Sequence, residues 1–104
     1  MAKKEYVIDD DFRLKAINLL KGYGYYKGVL VKSDVQKNYV SGQLKLSDII
    51  KSKSDFKELK ASVNAALEYC YANNFGEIEN VIKYFYRVEC MEIRKLYGNF
   101  FDKH

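Results

Sequence analysis

Apolar residues recur at helical spacing over much of this chain, and the pattern is clearest in its second half. Phe56, Leu59, Val63, Ala66, Leu67 and Cys70 follow one another mostly at steps of three and four, which predicts a helix over residues 55–72 with these side chains on one face. Ser54 stands where an N-cap acceptor belongs, and Asp55 and Glu58 fall in the first turn, where the helix dipole favours negative charge. Asn73, Asn74, Phe75 and Gly76 then read as a stop. Beyond it Glu77 and Glu79 open a second acidic first turn. Ile78, Val81, Ile82, Phe85, Val88, Ile93, Leu96, Tyr97 and Phe100 predict a long final helix. Tyr84, Tyr86 and Met91 widen its stripe past a single face, so this helix needs neighbours on two sides or a partner chain. The short link near residue 74 makes the two helices an antiparallel pair.

The first half is less regular. Phe12, Ala16, Leu19, Leu20 and Tyr23 share a face behind the acidic cap Asp9, Asp10 and Asp11, which predicts a helix over residues 10–22. Ahead of it, Tyr6-Val7-Ile8 suits a short strand, a hydrophobic staple, or part of a flexible arm over residues 1–8. Residues 22–40 admit two readings. Gly22, Gly24 and Gly28 oppose a helix, while Tyr25, Tyr26, Val29, Leu30 and Val31 suit a short β element near residues 25–31. Gly24, Gly28, Val31, Val35 and Tyr39 also stand at helical steps, and a continued helix would turn a notch of small residues toward a neighbour. Ser41-Gly42-Gln43 reads as a break, and Leu44 to Ile50 as a short helical turn capped by Ser47. The pattern as a whole predicts an all-α fold, a bundle of three or four helices with a long C-terminal helix, in one domain over residues 1–104.

Composition refines this picture at a few points. With 48% hydrophobic and 31% charged residues in 104, the chain suits one core and is too apolar for intrinsic disorder. It has no Pro, Trp or Thr, so no proline interrupts a helix. Its 10 Tyr and 6 Phe supply large rings that bury much area and can carry hydroxyls to the surface. No apolar run approaches the roughly 18 residues that cross a bilayer, and no signal-peptide core follows the N-terminus, so a cytoplasmic location is expected. Cys70 and Cys90 have no CxxC spacing and no histidine beside them, which fits neither a zinc site nor a redox motif. With a turn near residue 74 they stand roughly 16 Å apart along the helix axes. A disulfide spans about 4 to 7 Å between Cα atoms, so two reduced, partly buried thiols are expected.

Charge is unevenly spread. Residues 13–60 carry 11 Lys or Arg against 4 Asp or Glu, interleaved with Tyr23, Tyr25 and Tyr26. A binder of single strands or phosphate backbones needs this combination of ammonium groups and stacking rings, which makes Lys21, Lys27, Lys32 and Lys37 candidate contacts. Two observations oppose it. Only Arg13, Arg87 and Arg94 among the 18 basic residues are arginine, the residue that reads guanine and phosphate bidentately, and no helix-turn-helix pattern is present. A plain solvated basic face, or contact with an acidic protein, accounts for the same residues. The clusters Tyr23/Tyr25/Tyr26 and Tyr84/Tyr86 are candidates for a protein interface, where tyrosine supplies area at low entropic cost, although most of the rings are expected to fill the core.

Catalytic signals are missing. Asp9, Asp10 and Asp11 suit helix capping better than a cation loop, which needs a glycine and a distal carboxylate at fixed spacing. Glu89 and Glu92 read as surface charges beside Arg94 and Lys95. The one histidine is His104 at the terminus, and no phosphate-cradling glycine motif occurs. A non-enzymatic binding protein without metal or cofactor is therefore expected. Its small size and Lys-, Tyr-, Asn- and Ile-rich composition resemble accessory proteins of phages and plasmids from AT-rich bacteria, including anti-CRISPR proteins. That resemblance implies an inhibitor whose partner is a host protein or nucleoprotein complex. The alternative is a small nucleic-acid-binding regulator, and self-association through the final helix is a further expectation.

Overall fold

Capping chemistry sets where the first helix begins. The Asp9 carboxylate accepts the Phe12 N–H at 2.9 Å, and helix α1 runs from Asp10 to Tyr23. The computed structural model describes residues 6–101, and side chains through residue 97. The first five residues of the expected arm, the Phe100 side chain and His104 lie outside them. The remainder of the arm is packed on the body: the Tyr6 ring lies 5.5 Å from Phe12 and 5.3 Å from Tyr84, and Ile8 rests on the core. Of the readings open for this segment, a staple across the start of α1 is the one that describes it.

Among the described residues there are six α-helices and no strand, an all-α architecture. After α1 come α2 (Ser33–Val40), α3 (Leu46–Ile49), α4 (Lys53–Asn73), α5 (Gly76–Tyr84) and α6 (Met91–Phe101). One hydrophobic core draws on every helix, with Ile17, Leu20, Tyr39, Phe56, Leu59, Phe85 and Ile93 fully enclosed. Helix α5 is wedged between α1 and α4, which is why its apolar stripe is wide.

Residues 24–32 form neither the β element nor the continued helix. A methyl group on Gly24 would collide with the backbone carbonyl oxygen of Ser62, so the end of α1 touches the α4 backbone and the chain has to turn away there. Gly24 and Tyr26 both donate their N–H to the Leu20 carbonyl, at 2.9 and 3.1 Å, and Tyr25 between them takes a left-handed conformation with φ of 55°. Tyr26 then folds back over Gly28, whose missing side chain makes room for the ring. A single 3₁₀ turn, Val29–Val31, carries Leu30 into the core. The expected notch of small residues is therefore present only at Gly24.

Two caps differ from expectation by a turn or less. The Asp55 N–H is accepted by Ser52, at 3.0 Å, and not by Ser54, so α4 begins earlier than its apolar stripe. Helix α3 is closed by Asp48, whose carboxylate accepts the Lys45 N–H at 3.1 Å, with Ser47 inside the helix. The break at residue 74 is as expected: Asn74 is left-handed, with φ of 58°, and the Phe75 N–H returns to the Cys70 carbonyl at 2.9 Å.

The long final helix is divided. A π-turn over Phe85–Glu89 separates α5 from α6 and inserts the equivalent of one residue into the helical count. The stripe shifts accordingly: Cys90 and Ile93 are buried, whereas Leu96, expected to face inward, is 63% exposed. Both thiols are free and fully buried, more so than expected. Burial raises each above its ordinary pKa.

Replacing Gly24 by Ala should cost about 1 to 3 kcal/mol in urea unfolding, because the Ser62 backbone cannot give way cheaply. Gly22→Ala is the control: Gly22 is also in α1 but nothing lies within 4 Å of its would-be methyl, so the same change there should be neutral or stabilise by up to about 1 kcal/mol.

Candidate functional site

The three neighbouring tyrosines expected to act together are separated by the backbone turn that carries them. Tyr25 points outward and is 71% exposed; Tyr26 is core, with 3% of its surface exposed, and is thereby removed from the expected binding face. Burial lifts the Tyr26 pKa to about 12, partly opposed by the Leu30 N–H that its hydroxyl accepts at 3.3 Å. Tyr23 is half-buried in an aromatic trio, 4.9 Å from Tyr69 and 5.9 Å from Phe75, which ties the end of α1 to the α4–α5 turn. Tyr69 is 41% exposed on that trio, and Tyr71, two residues on, is 65% exposed with the Lys83 ammonium 5.6 Å from its ring centre. Neither Tyr69 nor Tyr71 stood out in the sequence.

Tyr84 and Tyr86 are both occupied by packing. Tyr84 lies edge-on to Tyr6 and Phe12, with the Arg87 guanidinium 5.2 Å from its ring, and Tyr86 is covered by Arg94 at 5.1 Å. The helices thus use their tyrosines mainly as ties between elements, and Tyr25, Tyr69 and Tyr71 are the most exposed tyrosine rings among the described residues.

The candidate lysines are all at the surface. Lys21, Lys27, Lys32 and Lys37 are exposed, and no carboxylate lies within ion-pair distance of any of them among the described residues. In the last third of the chain, by contrast, Lys83 pairs with Glu79 at 2.5 Å and Lys95 with Glu92 at 3.8 Å. The charge of the four candidate lysines is therefore exposed to solvent and is not neutralised by a carboxylate among the described residues.

One polar cluster escaped the sequence altogether. Glu89, expected as a surface charge beside Arg94 and Lys95, instead accepts a short hydrogen bond from the Tyr39 hydroxyl through Oε1, with Arg13 Nε 3.7 Å from the same oxygen. Arg13 also donates through Nη1 to the Val40 carbonyl at 2.9 Å and to Asp10 at 3.2 Å. Arg13 and Glu89 keep only 19% and 20% of their side-chain surface in solvent. Burial, followed by the bond to Glu89, pushes the Tyr39 pKa far above its usual value, so this hydroxyl stays a donor at any physiological pH. The cluster joins α1, α2 and the π-turn. Only its fold shows it, because Tyr39 and Glu89 are 50 residues apart.

Among the described residues no helix is long and apolar enough to cross a membrane, and no group of three or more His, Cys, Asp or Glu side chains is placed to hold a metal ion. No protein-family model matches the chain, and neither a curated protein nor a solved structure matches it.

Removing one member of the buried cluster should cost more when a charge is left behind. Tyr39→Phe is expected to lower unfolding free energy by about 1 to 2 kcal/mol. Glu89→Leu should cost more, about 3 kcal/mol, because it removes one of the partners of Arg13 and leaves the buried Tyr39 hydroxyl without its acceptor. Urea denaturation of the two variants checks the order, and equal losses would count against a charged role for Glu89.

Proposed function

We propose that this protein acts by binding a macromolecular partner, without catalysis, through a face centred on Tyr25 and continued by Tyr23, Tyr69 and the lysines beside them. The observation that carries this reading is Tyr25 itself. A bulky side chain in a left-handed conformation costs roughly 1 to 2 kcal/mol, and here the ring gains little burial in return. Glycine would relieve the strain, so a tyrosine held there points to a use for the exposed ring. Tyrosine is among the residue types enriched in interface hot spots.

The partner in this reading is a host protein or nucleoprotein complex, and the biological setting that suits the composition is an inhibitor of host defence, of the anti-CRISPR kind, working in the cytoplasm. Self-association through α6 is a separate reading, for which exposed Met91 and Leu96 supply the apolar atoms.

Tyr25→Gly separates folding from function. It should stabilise the protein by about 1 kcal/mol in urea unfolding. The same change should lower capture of the partner in a pull-down from host lysate by at least about thirtyfold, the scale of a hot-spot loss near 2 kcal/mol. Nuclease treatment of the lysate should leave capture of the protein component of the partner intact; a variant that is stabilised yet binds as before would remove the basis of the proposal.

The unpaired lysines favour a second reading, a nucleic-acid-binding surface. In that case affinity for single-stranded DNA or RNA should fall steeply with salt, and Lys27→Glu combined with Lys32→Glu should flatten the slope of log K against log salt by about two to four. Binding that is weak and insensitive to this change would reject it.

A further inference from the structure

We propose that the cleft between the α2–α3 connection and the π-turn is a binding site for a small zwitterion of the α-amino-acid class. Its volume is about 350 Å³, near the lower limit of pockets that take small organic ligands. Leu44, Leu46 and Val88 form apolar parts of its wall. The polar groups around it are Arg13, Lys45, Ser47, Glu89 and Glu92, together with the Tyr39 hydroxyl.

These polar groups divide into those engaged by the fold and those still open. Arg13 is held by Val40, Asp10 and Glu89, and the Tyr39 hydroxyl donates its hydrogen bond to Glu89. Left open are the second carboxylate oxygen of Glu89 and the Glu92 carboxylate, which is mostly in solvent and meets Lys95 only at 3.8 Å. From α3 and its cap come Lys45, whose ammonium has no ion-pair partner among the described residues, and Ser47. Glu89 and Glu92 thus keep carboxylate oxygens open toward a cation, while Lys45 has no carboxylate within ion-pair distance among the described residues. A simple amine would leave Lys45 unanswered, and a simple carboxylate would meet two like charges. A ligand with an ammonium toward Glu89 and Glu92 and a carboxylate toward Lys45 and Ser47 satisfies both walls, with its side chain against Leu44, Leu46 and Val88.

The π-turn strengthens the assignment. Single π-turns within helices occur often at functional sites, and this one ends on Glu89, the residue that faces both the buried cluster and the cleft. The proposal is independent of the partner surface at Tyr25.

The test is a titration of the whole protein with L-leucine, L-lysine and L-glutamate in turn, followed through backbone amide NMR. Saturable shifts confined to residues 44–47 and 88–92 with at least one of them are expected. Lys45→Gln and Glu92→Gln, both at exposed positions that leave the core intact, should each weaken that binding by about tenfold, equivalent to about 1.4 kcal/mol. Isopentylamine and isocaproate, which keep the leucine side chain but lack its carboxylate or its ammonium, should bind more weakly than L-leucine by a similar factor. No saturable shift with any of the three amino acids overturns the proposal. So does isopentylamine or isocaproate binding as tightly as L-leucine, or binding that neither substitution weakens.

Discussion

The close approach of α1 to α4, where Gly24 lies against the Ser62 carbonyl, governs much of what surrounds it. A side chain has no room at that point, so the glycine is used for proximity and not for its freedom of rotation. The left-handed conformation that turns the chain then falls on the next residue, Tyr25. Because the backbone has reversed, Tyr26 faces inward and reaches the core over Gly28, and Leu30 follows it within one 3₁₀ turn. Two adjacent tyrosines thus have opposite environments for a reason that begins on another helix. The exposed ring is held by a backbone anchored on both sides, which gives a partner a fixed target and lowers the entropy lost on binding.

A second constraint lies in the trio of Arg13, Tyr39 and Glu89, largely shielded from solvent. Hydrophobic contacts alone would let α2, a helix of only 8 residues, slide against its neighbours. A charge pair with a tyrosine donor between them is directional, and it fixes α2 against both α1 and the π-turn. The π-turn in turn presents Glu89 inward while rotating the apolar stripe of α6, so packing and polar bonding in this region are consequences of the same extra residue in the helical count.

The helices that were legible in the sequence are those whose stabilising contacts repeat locally. Phe56 to Cys70 announces α4 because each apolar residue has a neighbour one turn away, and Asp9 announces α1 through a bond three residues long. Their ends were less legible, since Ser52 and Ser54 are equally good acceptors and the choice depends on how α4 meets the preceding loop. Residues 24–32 were illegible as helix or strand because a distant carbonyl, not their own propensity, decides their path. The exposure of Leu96 could not be read from spacing, which assumes an uninterrupted period and does not register a π-turn. Of the candidate site, the lysines were placed correctly at the surface by charge alone. The tyrosines were not separable, because a ring on a helix face has the same sequence signature whether it meets solvent, as Tyr71 does, or another ring, as Tyr84 does.

The two enclosed thiols also give the fold a built-in clock. Cys70 lies near the end of α4 and Cys90 at the joint between the π-turn and α6, and each is shielded and held in its unreactive protonated form. An alkylating reagent can reach either one only after its surroundings have opened. The rates at which the two are modified under native conditions therefore time separate events, the loosening of the α4–α5 hairpin and the parting of α6 from the core. A chain without tryptophan, which lacks the customary optical probe of unfolding, carries in these cysteines two chemical probes already positioned on either side of its π-turn.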